Sequence, residues 1–221
     1  MALGRGLLLG AAVVALAGCG GSKHAASSAA TTTDANGCVP VSRPSSHAKQ
    51  EPKPKEPLAA AKSYDVVLHT NCGDFTIHLA TKISPETTAS FASLVRKGYF
   101  DHTVFHRIVP GFVIQGGDPT GTGTGGPGYS TVDKPPAATR YTHGLVAMAK
   151  TGAEAPGTSG SQFFVVTAAD AQLPPDYAVL GTVTKGLDVV DRIGQLGDPA
   201  SGGAGTPTEV VEIEKATLDV H

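Results

Sequence analysis

From Tyr64 onward the chain is broken into short apolar runs, almost all of them bounded by glycine turns. YDVVLHT and GDFTIHL flank a turn at Asn71-Cys72-Gly73-Asp74. In the second run Phe75, Ile77 and Leu79 alternate with Thr76 and His78, the period of a strand with one buried face. TVFHRIV, FVIQGG, GLVAMAK, SQFFVVT and AVLGTV follow, and EVVEIEKATL sets Val211 and Ile213 against Glu212 and Glu214. Only two stretches carry helical spacing. Ser84-Pro85-Glu86 opens one, with Ser84 as N-cap and Pro85 in the first turn, and Gly98 ends it. The other is GLDVVDRIGQL, residues 186–196, with Leu187, Val190 and Ile193 on one stripe. With 28 glycines and 16 prolines in 221 residues, turns dominate. The pattern predicts a mainly β fold: a closed barrel capped by two helices.

Before this region the composition differs. MALGRGLLLGAAVVALAGCGGS has one basic residue, Arg5, then an apolar run from Leu7 to Ala17. That run is about half the ~20 residues a membrane span needs, and it reads as a secretory signal over residues 1–18. Leu16-Ala17-Gly18-Cys19 is similar to the lipobox of bacterial lipoproteins, which implies cleavage before Cys19 and a lipid on its sulfur. Residues 19–62 are small, polar and, at HAKQEPKPKEP, proline-rich; they are expected to be a disordered, lipidated tether. The domain is expected over residues 63–221. Lipidation of Cys19 leaves two of the three cysteines, Cys38 and Cys72, and an oxidising compartment favours their pairing.

Several function classes are excluded. A net charge of −2 offers no basic stripe for nucleic acid. No C-x-x-C pair occurs and the eight histidines are scattered along the chain, so no metal site is expected. GTGTGGPG at 121–128 contains G-x-G-x-x-G, but Pro127-Gly128 follows where a dinucleotide site needs a helix. The loop instead suits close passage of the backbone past another strand or a ligand. GTSGSQFF at 157–164 misses the nucleophile elbow, since Ser161 stands where its last glycine should be. Cys72, at a hairpin tip, suits a disulfide better than a nucleophile.

Arg107 is harder to place. It lies between Phe105 and a run containing Ile108, Val109, Phe112, Val113 and Ile114. A permanently charged fork of donors in such surroundings must be paired or aimed at something. Gln115 and Gln162 are likewise polar inside apolar strands; alternation puts Gln115 on a face with Val113, and Gln162 with Phe164. These residues suggest a shallow apolar groove with fixed donors, suited to an extended peptide.

FHRIVPGFVIQGGDPTGTGTGG, GLVAMAK and GSQFFVV, followed by AVLGTV and a helix, resemble the cyclophilin family of peptidyl-prolyl isomerases over roughly residues 64–220. The resemblance implies an eight-stranded antiparallel barrel with a helix at each end. It implies cis–trans isomerisation of X–Pro bonds in proline-containing unfolded or extended polypeptides, with no cofactor and no metal. Arg107 matches the family's catalytic arginine, Phe112 the floor of the proline pocket and Gln115 the glutamine beside it. Val113 stands where methionine is frequent. Ala149 and Lys150 match the strip that pairs with substrate, Gln162 and Phe164 the far wall, and Leu173 and Tyr177 the rim. The expected protein is a monomeric isomerase of the cell envelope, held through its lipid on the outer side of the cytoplasmic membrane or in the periplasm. Rival readings are a non-catalytic peptide-binding module on the same fold and a hydrolase using Ser161. The presence of Arg107, Phe112 and Gln115 argues against the first, and the lack of a motif-placed base against the second.

Overall fold

The computed structural model describes residues 32–221. The expected signal segment, residues 1–18, and Cys19 lie outside the described residues. Eleven strands and two α-helices follow in order: β1 (Tyr64–Thr70), β2 (Gly73–Leu79), α1 (Pro85–Arg96), β3 (Thr103–Val104), β4 (Arg107–Val109), β5 (Val113–Gly116), β6 (Thr131–Val132), β7 (Leu145–Met148), β8 (Thr158–Ser159), β9 (Phe163–Val166), β10 (Val179–Lys185), α2 (Leu187–Gly194) and β11 (Glu212–Val220). A 3-10 turn, Pro199–Ala204, precedes β11. Among the described residues no helix is long and apolar enough to cross a membrane.

Nine strands form one antiparallel sheet in the order β3-β11-β1-β2-β10-β7-β9-β5-β4, and β6 pairs with β8 apart from it. The expected closed eight-stranded barrel is therefore corrected to an open, curled sheet of nine strands. The physical reason lies at its ends. β3 and β4 are consecutive in the chain, yet their edge groups bond elsewhere. Phe105 N–H donates to Val211 O at 2.9 Å, and Ile108 N–H donates to Gly205 O at 2.7 Å. The segment after the 3-10 turn thus covers the β4 edge, as exposed edges require.

The hairpin forms as its alternation predicts, with Thr70 opposite Gly73, except that Thr76, expected on the outward face, is buried as well. Helix α1 lays Phe91 across Phe100, centroids 4.6 Å apart, and edge-on to Phe163 at 5.5 Å. Its C-terminus turns through Gly98 at φ 64°, with Tyr99 N–H on Leu94 O and Gly98 N–H on Val95 O. Its start differs from expectation. Ser84 occupies the N-cap, but its buried Oγ has no hydrogen-bond partner. Asp133 caps the helix instead, accepting from Thr87 N–H at 2.7 Å. Helix α2 is shorter than the expected stretch 186–196, keeps its whole apolar stripe, and begins after Gly186, whose φ of 72° brings it against the Asp74 carbonyl. On β11, Glu212 is not a solvated outward residue; it is buried beneath His102, whose Nδ1 lies 2.8 Å from its carboxylate.

Residues 32–62, expected as a disordered tether, are instead packed with the domain in one compact unit, Thr32–His221. This stretch has no regular secondary structure but runs as a strap over the domain. Cys38 is disulfide-bonded to Cys72 at the tip of the first hairpin. Val39 N–H donates to Asn71 O at 2.7 Å, and the Asn71 amide donates to Val39 O at 2.8 Å and to Val210 O at 3.1 Å. Further along, Lys49 Nζ donates to Tyr99 O at 2.8 Å, and Glu51 meets Lys97 at 2.6 Å. A segment with little to bury still docks when a cross-link and main-chain bonds hold it. Prolines assist by reducing the freedom that docking removes.

Candidate active site

Three neighbouring strands set out the groove. The register places Arg107 opposite Gln115 on β4 and β5, and Gln115 opposite Phe164 on β5 and β9. Val109 opposite Val113 closes the β4–β5 hairpin, at whose turn Phe112 sits. Arg107, Phe112, Val113, Gln115 and Phe164, with Ala149, Lys150, Leu173 and Tyr177, surround one cavity of about 200 Å³. Of the ten groove residues singled out in the sequence, only Gln162 stands outside this cavity, and it reaches the site through Gln115.

The polar groups form a single directed chain. Arg107 Nη1 donates to Gln115 Oε1 at 3.3 Å, Gln115 Nε2 to Gln162 Oε1 at 3.1 Å, and Gln162 Nε2 to Gly125 O at 3.0 Å. A carbonyl can only accept, so Gly125 fixes which end of each carboxamide faces which neighbour. The relay ends with an acceptor presented to the guanidinium. Arg107 Nε also donates to Gly203 O at 3.1 Å. The guanidinium carbon stands 5.9 Å from the centre of the Phe112 ring, within cation–π range. Burial lowers the pKa of Arg107, with Tyr177 opposing the shift, yet an arginine stays charged at working pH.

The opposite rim is aromatic. Phe164 and Tyr177 meet edge-on at 5.5 Å, and Tyr141 lies beneath them. Tyr141 Oη donates to Tyr177 O at 2.6 Å and accepts from Tyr177 N–H at 3.0 Å, fixing the rim backbone. Burial pushes the Tyr141 phenol up to about 12, so it serves as a neutral donor. Lys150 Nζ sits 5.5 Å from the Tyr177 ring centre and donates to Thr151 O and Glu154 O. Ala149 N–H is taken by Gln162 O at 2.9 Å, leaving Ala149 its carbonyl to offer a peptide.

The glycine loop is built around a buried acid, Asp118, which no sequence motif singled out. Asp118 accepts from Thr120 N–H and Oγ1 through Oδ1, each at 2.7 Å. Its Oδ2 accepts from the N–H groups of Thr122, Gly123 and Gly125 at 3.1, 2.7 and 3.1 Å. Burial raises its pKa, but these bonds outweigh burial and hold it below the ordinary carboxylate range. An aspartate before a Thr/Gly run is a legible signal for such a turn. Tyr141 carried no comparable signal. His106, next to Arg107, has neither ring nitrogen partnered, and burial lowers its pKa and favours the neutral ring. Asp34, Cys38 and Glu209 lie within reach of one another, but the disulfide takes the only sulfur, so they form no thiolate metal site.

Residues 65–218 match the family described as cyclophilin type peptidyl-prolyl cis-trans isomerase/CLD. The chain belongs to the cyclophilin family. It is a cyclophilin-type peptidyl-prolyl cis-trans isomerase. Peptidyl-prolyl cis-trans isomerase-like 1 of Gibberella zeae is 40% identical over 158 residues, which are 70% of this chain and 94% of that protein. The mouse protein of the same name is 39% identical over 156 residues, covering 69% of this chain and 90% of its own. Among solved structures, the Cryptosporidium parvum cyclophilin superposes with a TM-score of 0.63 at 31% identity, covering 71% of this chain and 98% of that one. The same cyclophilin was also crystallised in the presence of the dipeptide Ala-Pro, with the same TM-score of 0.63 over 70% of this chain. The strap, residues 32–62, lies outside the region matched to the cyclophilin family.

Proposed function

We propose that the cavity at Arg107 holds the proline of an X–Pro bond and that Arg107 drives its rotation. Amide resonance sets a barrier of ~18–20 kcal/mol. At the twisted state the proline nitrogen becomes pyramidal and gains a lone pair. A guanidinium donating to it, or to the adjacent carbonyl, binds that state better than either planar one, and only such a difference speeds the step. Two Arg107 N–H groups are held by Gln115 and Gly203, which orient the rest of the fork. The walls of Phe112 and Phe164 seat the ring and keep water from weakening the donor. Val113, Leu173 and Tyr177 complete the proline seat, and Ala149, Lys150 and Gln162 line the path of the peptide. No covalent intermediate is needed. The observation that carries this reading is the relay ending at Arg107. The Ala-Pro dipeptide named for the Cryptosporidium structure supports proline peptides as substrates.

Rotation of X–Pro peptides, read by exchange NMR, tests it. Removing a donor aimed at a transition state typically costs ~10²–10³ in rate, so Arg107→Ala is expected to lower kcat/KM by that order with its Tm retained. Arg107→Lys is expected to restore little, since a point charge on a flexible stem does not reproduce the fork. A folded Arg107→Ala protein rotating peptides at the wild-type rate would refute the mechanism.

We further propose that the enzyme assists the folding of exported proteins as a monomer, anchored through a lipid on Cys19 at the outer side of the cytoplasmic membrane or in the periplasm. Two features support this: the Leu16-Ala17-Gly18-Cys19 pattern and the Cys38–Cys72 disulfide, a bond typical of oxidising compartments. The groove is complete within one chain, which supports a monomer. Cys19→Ser is expected to abolish partition into membranes. Unchanged partition of a signal-processed Cys19→Ser protein would remove the anchor from the proposal.

A further inference from the structure

Beside the proline-sized cavity lies a larger one, of about 680 Å³. The two share Gln115, Ala149 and Lys150, so a peptide with its proline in the smaller carries a flanking residue into the larger. Most of the larger cavity belongs to the domain, but one wall residue, Gln50, comes from the strap. The strap is fixed on both sides of it: His47 N–H donates to Pro119 O at 3.3 Å, and Glu51 N–H donates to Pro127 O at 2.9 Å. The Gln50 carboxamide lies over Gly128, whose φ of 87° and contact with that amide leave no room for a side chain.

Most other polar side chains at this cavity are already engaged; the exposed Ser130 hydroxyl, a single short donor and acceptor, is the exception among the described residues. Glu154 Oε2 accepts from Thr151 N–H at 2.6 Å and from Thr151 Oγ1 at 2.8 Å, and Lys150 donates to two carbonyls. The Gln162 amide is bonded at both ends. Gln50 is exposed at the cavity, and among the described residues its side chain has no hydrogen-bond partner. An unengaged carboxamide offers one acceptor and two donors in a plane.

We propose that Gln50 is a specificity-determining residue: its amide pairs with a hydrogen-bonding side chain flanking the proline, so the segment before the domain selects substrates with a carboxamide there over an aliphatic chain of equal size. This rests on the isomerase reading of the groove. Exchange NMR on alanine-based proline peptides tests it, with one Gln or one Leu placed at each of the positions around the proline. The method reads both a binding constant and a rotation rate. At one position wild type is expected to favour Gln over Leu by about two- to ten-fold, the worth of a neutral hydrogen bond. Gln50→Ala is expected to bring that ratio close to one, while Lys55→Ala, at an exposed position of the strap, keeps it. A ratio unchanged by Gln50→Ala, a uniform fall for every peptide, or no preference in wild type would overturn the assignment. Gln-selective binding that Gln50→Ala abolishes, without rotation of any peptide, would uphold Gln50 and refute the isomerase reading instead.

Discussion

Asp118→Asn removes one charge and one acceptor from a site where five donors converge. The asparagine has two ways to sit. With its NH₂ in place of Oδ2 it faces three backbone N–H groups; with its NH₂ in place of Oδ1 it faces only Thr120. The second is cheaper, because the Thr120 hydroxyl can rotate to accept, and a single backbone donor is stranded. That donor costs about 1–3 kcal/mol, and each of the three retained bonds loses about 1 kcal/mol on becoming neutral. The sum, about 4–6 kcal/mol at neutral pH, is a large part of the ~5–15 kcal/mol that holds a domain together. Urea unfolding at a series of pH values reads it. The folded-state pKa of Asp118 is depressed, so its contribution is fully present above the unfolded value near ~3.9 and is lost as pH falls through the lower folded value. The gap between wild type and Asp118→Asn is therefore expected to be widest at neutral pH and to narrow at acid pH. Activity is expected to fall as well, because Gly125 both donates to Asp118 and holds the relay to Arg107. Equal stability at neutral pH, or a gap indifferent to pH, would refute the reasoning.

Two other perturbations test the fold. The Cys38–Cys72 bond spans a sequence separation of 34, so Cys38→Ser with Cys72→Ser is expected to cost about 3.8 kcal/mol in the chain-entropy model, read by urea unfolding; a loss under 1 kcal/mol would mean the strap adds no constraint. Ser84→Ala is expected to be neutral or stabilising by up to about 1 kcal/mol, since a buried hydroxyl without a partner is removed, whereas Asp133→Ala should cost about 1 kcal/mol as the lost cap; the reverse order of Tm values would restore Ser84 as the cap.

The groove was legible because its residues sit inside contiguous motifs and because period-2 alternation puts Val113 with Gln115 and Gln162 with Phe164. The hairpin and the end of α1 were legible for local reasons, a tight turn and a glycine with positive φ. What was not legible depends on partners far along the chain. Nothing near Ser84 announces that Asp133, on the far side of the glycine loop, takes the helix N–H. The strap docks through main-chain groups and Lys49, which leave no periodic trace, so composition alone pointed to disorder. Closure of the sheet failed as an expectation because strand count does not reveal where an edge is covered by a turn. Glu212 was misplaced since alternation cannot anticipate a histidine laid over it.

The strand order has a consequence for the timing of assembly during synthesis. Among the described strands the last made, β11, lies between β1 and β3, which are among the first. At a synthesis rate of ~5–20 residues per second, the roughly 110 residues from β3 to β11 take about 5–20 s to emerge. Through that interval β1 has a partner on one side only, and β3 has none at all. Asn71, which joins the strap to Val210 and accepts the Glu212 N–H, waits equally long for three of its five hydrogen bonds. The sheet therefore cannot mature in chain order; β11 acts as the clasp that lets β1 and β3 settle.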